Sequence, residues 1–123
     1  MNYTNYTTAE LRKKAGIAFR KWIRKRDKGQ PCISCGHPTF SDAGHFYPVG
    51  TYPALEFDED NVHGQCRSCN YFKSGNLLDY RRNLVHKIGE YRLEALDYKA
   101  GVSKRTTHKH NRLYLIEIIE KYK

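Results

Sequence analysis

The residues best equipped for chemistry are four cysteines, Cys32 with Cys35 and Cys66 with Cys69, the only cysteines in the chain and set as two C-x2-C pairs. Four thiolates at that spacing match the coordination number that Zn²⁺ prefers, and an all-cysteine set leaves no open position for a substrate, so such a zinc is structural. Two disulfides are the competing reading; two intact pairs with no cysteine left over speak for metal, and a two-residue gap suits a disulfide poorly. Three polar side chains lie where a metal clamp could gather them. His45 falls near the end of an expected strand between the pairs, Asn61 precedes Cys66 by five residues, and Asn70 follows Cys69 directly.

The elements that must position these residues are legible from pattern and punctuation. Thr7 and Glu10 form a capping box ahead of a helix expected from about Thr8 to Asp27, with Leu11, Ala15, Phe19, Trp22 and Ile23 as a narrow apolar stripe and Gly29 with Pro31 at its end. From Pro31 to Gln65 the chain is rich in Gly, Pro and aromatics, and Ala54-Leu55-Glu56-Phe57 and Asn61-Val62-His63-Gly64 read as strands and turns. Ser74-Gly75-Asn76 reads as a break between helices. Asn76 is expected to cap a helix carrying Leu77, Tyr80, Leu84, Val85 and Ile88, followed after Gly89 by a shorter one from Glu90 to Ala100, stopped by Gly101. A basic linker, Gly101 to Asn111, leads to a last helix from about Arg112 to Tyr122. The expected organisation is a basic N-terminal helix (1–30), a four-cysteine core (31–100), and a linker with a C-terminal helix (101–123). The class is α+β.

Charge narrows the partner. The formal net charge is +9, and residues 1–31 hold nine Lys or Arg against Glu10 and Asp27. Phosphate neutralisation with counterion release makes nucleic acid the natural partner, with Arg20, Lys21, Arg24 and Lys25 as backbone contacts. A membrane-surface helix wants a broader apolar face than this stripe. The first twenty residues contain no apolar run of signal-peptide length, so neither a signal peptide nor a membrane span is expected, and a reducing interior suits thiolate metal binding. No small-molecule cofactor is indicated.

Helix, knuckle, strand pair, knuckle and helix, with Asn directly after the last Cys, resembles the HNH or ββα-metal nucleases in their zinc-stapled form. More specifically, PCISCG (31–36), DAGHF (42–46), NVHGQC (61–66) and CN followed by KSGNLLDYR (69–81) resemble the phage NinG family. The resemblance runs from the basic helix to about Asp97. It implies a zinc-stapled ββα-metal core with flanking helices and a structure-selective DNA endonuclease acting on Holliday junctions and D-loops. It also implies a location in the cytoplasm of a phage-infected or prophage-carrying bacterial cell.

On the HNH pattern His45 is the general base, an imidazole able to accept a proton at neutral pH. Asn61 orients that imidazole, and Asn70 offers its amide oxygen to a catalytic Mg²⁺ or Mn²⁺, a hard ligand for a hard ion. Lys73, one turn on, is placed for a phosphate contact. Many HNH enzymes carry an acidic metal ligand immediately before the base, where this chain has Gly44. Asp42 is the substitute, although it lies roughly 6–7 Å back along the strand; His63 and Glu56 are weaker candidates. Paired nicks in a two-fold symmetric junction call for a homodimer, through the first or the C-terminal helix. Two other readings stand beside this one: a zinc-dependent DNA-binding module without catalysis, and a sequence-specific or nicking HNH enzyme.

Overall fold

The computed structural model describes residues 2–104 and 110–123. The first helix, α1 (Thr8–Arg26), starts where Thr7 Oγ1 accepts the Glu10 N–H at 3.1 Å, and it buries Leu11, Ala15, Phe19 and Ile23. These recur every fourth residue, which keeps them on one face. That face packs against α4 (Arg112–Tyr122), capped by Asn111 and contributing Leu115, Ile118, Ile119 and Tyr122, together with Ala43, Phe57 and Val62. The two helices proposed for dimerisation therefore bury their apolar faces against each other within the chain.

Between the knuckles lies a two-stranded antiparallel sheet, β1 (Asp42–His45) and β2 (Val62–Gln65), paired Asp42 to Gln65 through His45 to Val62. Directly paired residues share a face. Ala43, His45, Val62 and Gly64 therefore face one way, and Asp42, Gly44, His63 and Gln65 face the other. Each strand carries a glycine for a steric reason. A Cβ on Gly44 would lie 1.8 Å from Gln65 Oε1, and one on Gly64 would lie 2.6 Å from the Phe40 ring.

Of the two runs read as strands and turns, 61–64 supplies β2, whereas 54–57 overlaps a 3₁₀ turn over Pro53–Leu55. Pro53 opens it with a fixed φ and no N–H to give a ladder. After Cys69 no long helix begins. A single wide turn spans Ser68–Phe72, and the break at 74–76 is real, with Ser74, Gly75 and Asn76 all at positive φ (50°, 93° and 44°). Asn76 stands at the N-terminus of α2 (Leu77–Ile88) without capping it; its amide points to Cys69 Sγ at 3.5 Å.

Gly89 separates α2 from α3 (Glu90–Ser103). Gly101 does not stop this helix, which runs on until Ser103 Oγ bonds back to the Lys99 carbonyl. A glycine inside a helix costs only about 1 kcal/mol, too little to end one whose flanking turns are bonded. The expected linker thus begins later, and its residues 105–109, His108 included, lie outside the described residues. Helices α2 and α3 form a second apolar cluster with Ile33, Phe46 and Leu55. Among the described residues no helix is long and apolar enough to cross a membrane.

Where α1 ends, charge is buried. Asp27 is 1% exposed and takes hydrogen bonds from Arg26 (2.8 Å), Lys87 (2.9 Å) and the Gly64 N–H (2.8 Å). Burial alone would raise its carboxyl pKa, but these donors outweigh it and hold the group well below the ordinary carboxylate range. His63 lies beside it. Its Nε2 donates to the Asp60 carbonyl (2.8 Å) and its Nδ1 meets Arg26 Nη2 (3.0 Å). Burial, with Lys87 and Arg26 nearby, pushes its pKa down to about 3.

Folded His63 therefore refuses a proton that the unfolded chain takes up below about pH 6.5, so the stability it contributes is full above that value and drains away as pH falls towards about 3. Denaturant titration of zinc-loaded protein should show unfolding free energy dropping between about pH 7 and about pH 5, and His63→Gln should flatten that drop. Equal slopes in the two proteins would contradict this account of His63.

Candidate metal centre and the adjoining cleft

The four cysteines are all free, and their sulfurs lie within 4.8 Å of one another. Cys35 Sγ and Cys66 Sγ are 3.7 Å apart. A tetrahedron with Zn–S bonds of 2.3 Å has edges of about 3.8 Å, so the spacing is that of a zinc site and not of a disulfide. Two knuckles build it. The first closes with Cys32 N–H to the His37 carbonyl (2.8 Å) and Gly36 N–H to the Cys32 carbonyl (3.0 Å), Gly36 taking the positive φ (77°) that the turn requires.

Donors already point at the sulfurs. Cys32 Sγ accepts from the Cys66 N–H (3.3 Å), Cys66 Sγ from the Cys69 N–H (3.5 Å), and Cys69 Sγ from Asn76. Such contacts orient thiolates in metal sites. Burial and the neighbouring sulfurs push the Cys69 thiol up to about 12, whereas the N–H groups around Cys32 overcome its burial and bring it down to about 7. Without a cation the four groups cannot all be thiolates at neutral pH; a divalent metal is what this donor set fits.

Beside the sulfur cluster is a cleft of about 390 Å³ whose lining includes Arg20 from α1, His45 from β1, and Asn70, Ser74 and Gly75 from the segment after Cys69. His45 Nε2 is bonded to the Glu56 carbonyl at 2.9 Å. A carbonyl only accepts, so Nε2 carries the proton and Nδ1 is the ring's free basic nitrogen. Burial lowers the His45 pKa; the Glu56 carbonyl and carboxylate oppose it without cancelling it and Arg20 adds a smaller push downward, so the ring is neutral at pH 7. Arg20 reaches this position because residue 16 is glycine, over whose Cα its guanidinium folds; a Cβ there would stand 2.7 Å from Nη1.

Asn70 is not a cap. Its N–H bonds the Cys66 carbonyl, and its Nδ2 donates to Asp42 Oδ2 at 3.0 Å, which leaves Oδ1 as the amide's free acceptor. Asp42 also takes Ser41 (2.9 Å) and Arg67 (2.9 Å). Burial would raise its pKa, but the bonds from Asn70, Ser41 and Arg67 bring it below the ordinary value. The expectation that Asp42 stands in the cleft as a ligand needs correction: it lies on the opposite face of the sheet from His45, its carboxylate occupied, and it reaches the cleft only through Asn70.

Asn61 likewise does not touch the imidazole. It is fully buried, its Oδ1 taking the Tyr47 N–H (2.8 Å) and its Nδ2 bonding the carbonyls of Tyr47 (3.0 Å) and Leu55 (3.1 Å). It pins both ends of the 46–61 segment, which in turn presents the Glu56 carbonyl to His45. The weaker candidates are spent elsewhere: His63 as described, and the Glu56 carboxylate on Arg12 (3.0 Å) and His110 (3.1 Å).

Of the basic residues, Arg20 and Arg24 share one face of α1, whereas Lys21 and Lys25 lie about 100° around it. Lys73 lines a separate hollow beside the cysteines. Among the described residues none of the five has an ion-pair partner.

Sequence reasoning missed the Glu56 carbonyl and Gln65. A backbone acceptor leaves no mark in residue type. For Gln65 a mark existed, because a glycine inside a strand signals close approach by another group. The side chain of Gln65 donates to Ser34 Oγ (2.9 Å) and to the Gly75 carbonyl (2.6 Å), tying the first knuckle and the turn at 74–76 to β2.

The fold and site define a mixed helix and sheet protein with a four-cysteine centre able to hold a metal such as zinc. Residues 6–123 match the family model described as Bacteriophage Lambda NinG protein, and the chain belongs to the NinG family. It is 48% identical over 87 residues to Protein ninG of Escherichia phage 933W, covering 69% of this chain and 42% of that protein. With its counterpart in Escherichia phage lambda the identity is 47% over 87 residues (69% and 41%), and in Salmonella phage P22 it is 49% over 79 residues (63% and 39%). The chain thus spans about two fifths of the length of these relatives. No solved structure matches it.

Structural zinc in small domains contributes roughly 10–16 kcal/mol, as much as the whole stability of a typical domain. Purified chain should carry one zinc by elemental analysis, and Cys69→Ser should lose it together with cooperative unfolding. A folded, zinc-free Cys69→Ser protein would overturn the structural assignment.

Proposed function

We propose that the chain is a zinc-stapled HNH-type endonuclease that hydrolyses phosphodiester bonds in branched DNA with the help of Mg²⁺ or Mn²⁺. The observation that supports this best is His45: its Nε2 is tied to a backbone carbonyl, its Nδ1 is free, and it shares a cleft with Arg20 and the amide of Asn70. Two strands and a turn beside a metal clamp support the ββα-metal reading, with the wide turn Ser68–Phe72 standing where that pattern has a helix, and the choice of branched DNA follows the resemblance carried by the motif strings.

A bound divalent ion, held through Asn70 Oδ1, would neutralise phosphoryl charge and stabilise the departing oxygen. Neutral His45 accepts the proton of the attacking water at Nδ1, with Nε2–H anchored so that the ring cannot turn. Arg20 binds a phosphoryl oxygen from the opposite wall. Asp42 holds the nitrogen of the Asn70 amide and thereby aims its oxygen. Asn61 positions the segment that anchors His45. Lys73 and Arg24 extend phosphate binding beyond the cleft. The protein works in the cytoplasm of a phage-infected or prophage-carrying cell, and as a homodimer on the two-fold symmetric junction.

Zinc-loaded protein with Mg²⁺ or Mn²⁺ should cut a four-way junction in preference to linear duplex and single strands. No cutting with either metal at stoichiometric enzyme would overturn the proposal and leave a DNA-binding zinc module. His45→Ala should abolish cleavage while leaving zinc content, folding and junction binding near wild type; parallel loss of binding would make His45 structural. Because burial and Arg20 lower the His45 pKa, the acid limb of kcat/KM should lie below the ordinary histidine value of about 6.5, with activity lost as His45 takes up a proton. An acid limb well above that value would assign the base elsewhere.

A further inference from the structure

On the α4 side of α1 there is a second hollow, about 490 Å³, that shares no lining residue with the His45 cleft. Its rim includes Lys14, Lys21, Lys25 and Lys123, its wall is formed by Trp22 and Tyr122, and no acidic residue lines it. The aromatic wall is firm: the two rings pack edge to face with centroids 5.1 Å apart, and Tyr122 donates to Glu59 at 2.7 Å. Lys14 is drawn over the Tyr6 ring and Lys123 pairs with Glu120, whereas Lys21 and Lys25 have no ion-pair partner among the described residues.

We propose that this lysine groove binds the sugar-phosphate backbone of a second DNA segment, a neighbouring arm of the branched substrate whose scissile strand lies in the His45 cleft. The proposal rests on the endonuclease reading and adds to it the place where a second arm is held. Four lysines around a hollow lined by no acidic residue, two of them without an ion-pair partner among the described residues, fit a polyanion, because lysine ammonium groups displace the cations condensed on a phosphate backbone. A second copy of this chain would bring the same lysines against each other in a two-fold contact. A bilayer would need a broad apolar face; the apolar face of α1 is buried under α4, and on the rest of the helix Ile17 is the one large exposed hydrophobic among the described residues.

Geometry makes the groove selective for branched DNA. Lys21 and Lys25 are about 100° around the helix from Arg20 and Arg24, so the two basic stripes diverge. A linear duplex seated in the cleft meets the Arg20 stripe; a junction offers a further arm to the other.

The test compares wild type with Lys21→Ala/Lys25→Ala in the zinc-loaded full chain, both positions being exposed. Binding to a labelled four-way junction and to a linear duplex of one arm's sequence is measured across salt concentrations. For the junction, the slope of log affinity against log salt should fall by about two in the variant, with the duplex slope unchanged. Unchanged junction slope overturns the proposal, as does an equal fall on both DNAs, which would place one duplex across both stripes. A change in oligomeric state on substitution would assign the groove to a second copy and overturn it too. Wild type that binds neither DNA fails the endonuclease reading itself, and is thereby told apart.

Discussion

The convergence of four cysteine sulfurs is the constraint on which everything else here depends. The sheet at the centre of the chain is two four-residue strands, Asp-Ala-Gly-His and Val-His-Gly-Gln, and a hairpin of that size is not stable without packing or a clamp. The two apolar clusters lie to either side, one between α1 and α4 and the other around α2 and α3. The strands and their flanks reach into both, Ala43 and Val62 in the first and Ile33 and Phe46 in the second, and the sulfurs gather the knuckles that flank the strands. Through Ile33 N–H on the Gly64 carbonyl, and through Gln65 on Ser34 and Gly75, the first knuckle and the turn after the second are fastened to β2. The left-handed turn at 74–76 is fixed against Cys69 by Gly75 N–H and by the Asn76 amide. A metal among the sulfurs therefore fixes the direction in which Asn70 leaves the cluster.

From that clamp the cleft follows by a chain of short-range constraints. Gly44 lacks a side chain because Gln65 lies over it, so an acid at that position would have no room. The acid is instead Asp42, on the other face, and it acts on the cleft through the amide of Asn70. His45 faces α1, where Gly16 makes room for Arg20. Both polar partners of the cleft are aimed by a hydrogen bond on the atom that is not used: Nε2 for His45 and Nδ2 for Asn70. Fixing one atom of a planar group leaves the other pre-oriented, which lowers the reorganisation needed when a substrate arrives.

Much of this was legible in the residues. The cysteine spacing marked the metal centre, the capping box and Gly89 marked helix ends, and the triple Ser74-Gly75-Asn76 marked the break that frees Asn70 from α2. What was not legible has a common physical origin. The 3₁₀ turn at Pro53 and the continuation of α3 past Gly101 depended on single residues whose local preference was outweighed by bonds to neighbours. Asp42 and Asn61 were read by analogy as direct participants, yet Asp42 meets the cleft only through the Asn70 amide and Asn61 bonds the backbone of Tyr47 and Leu55. That distinction lives in side-chain direction, and sequence spacing alone does not carry it. The division of the basic helix into two stripes was latent in the 3.6-residue period, but only the packing of α4 shows that they border different hollows.

The proposed function asks one sulfur-clamped scaffold to serve two metals, a closed zinc site among the cysteines and an open site at Asn70. The most direct measurement is a crystal structure of zinc-loaded protein soaked in Mn²⁺, with anomalous maps recorded for each metal. The account predicts zinc at the centre of the four sulfurs and manganese in the cleft on Asn70 Oδ1, facing His45 Nδ1, with Asp42 still bonded to Asn70 Nδ2. Manganese held by Asp42 on the far face of the sheet, or a cleft that takes no manganese while Asn70 turns its nitrogen towards His45, would contradict it.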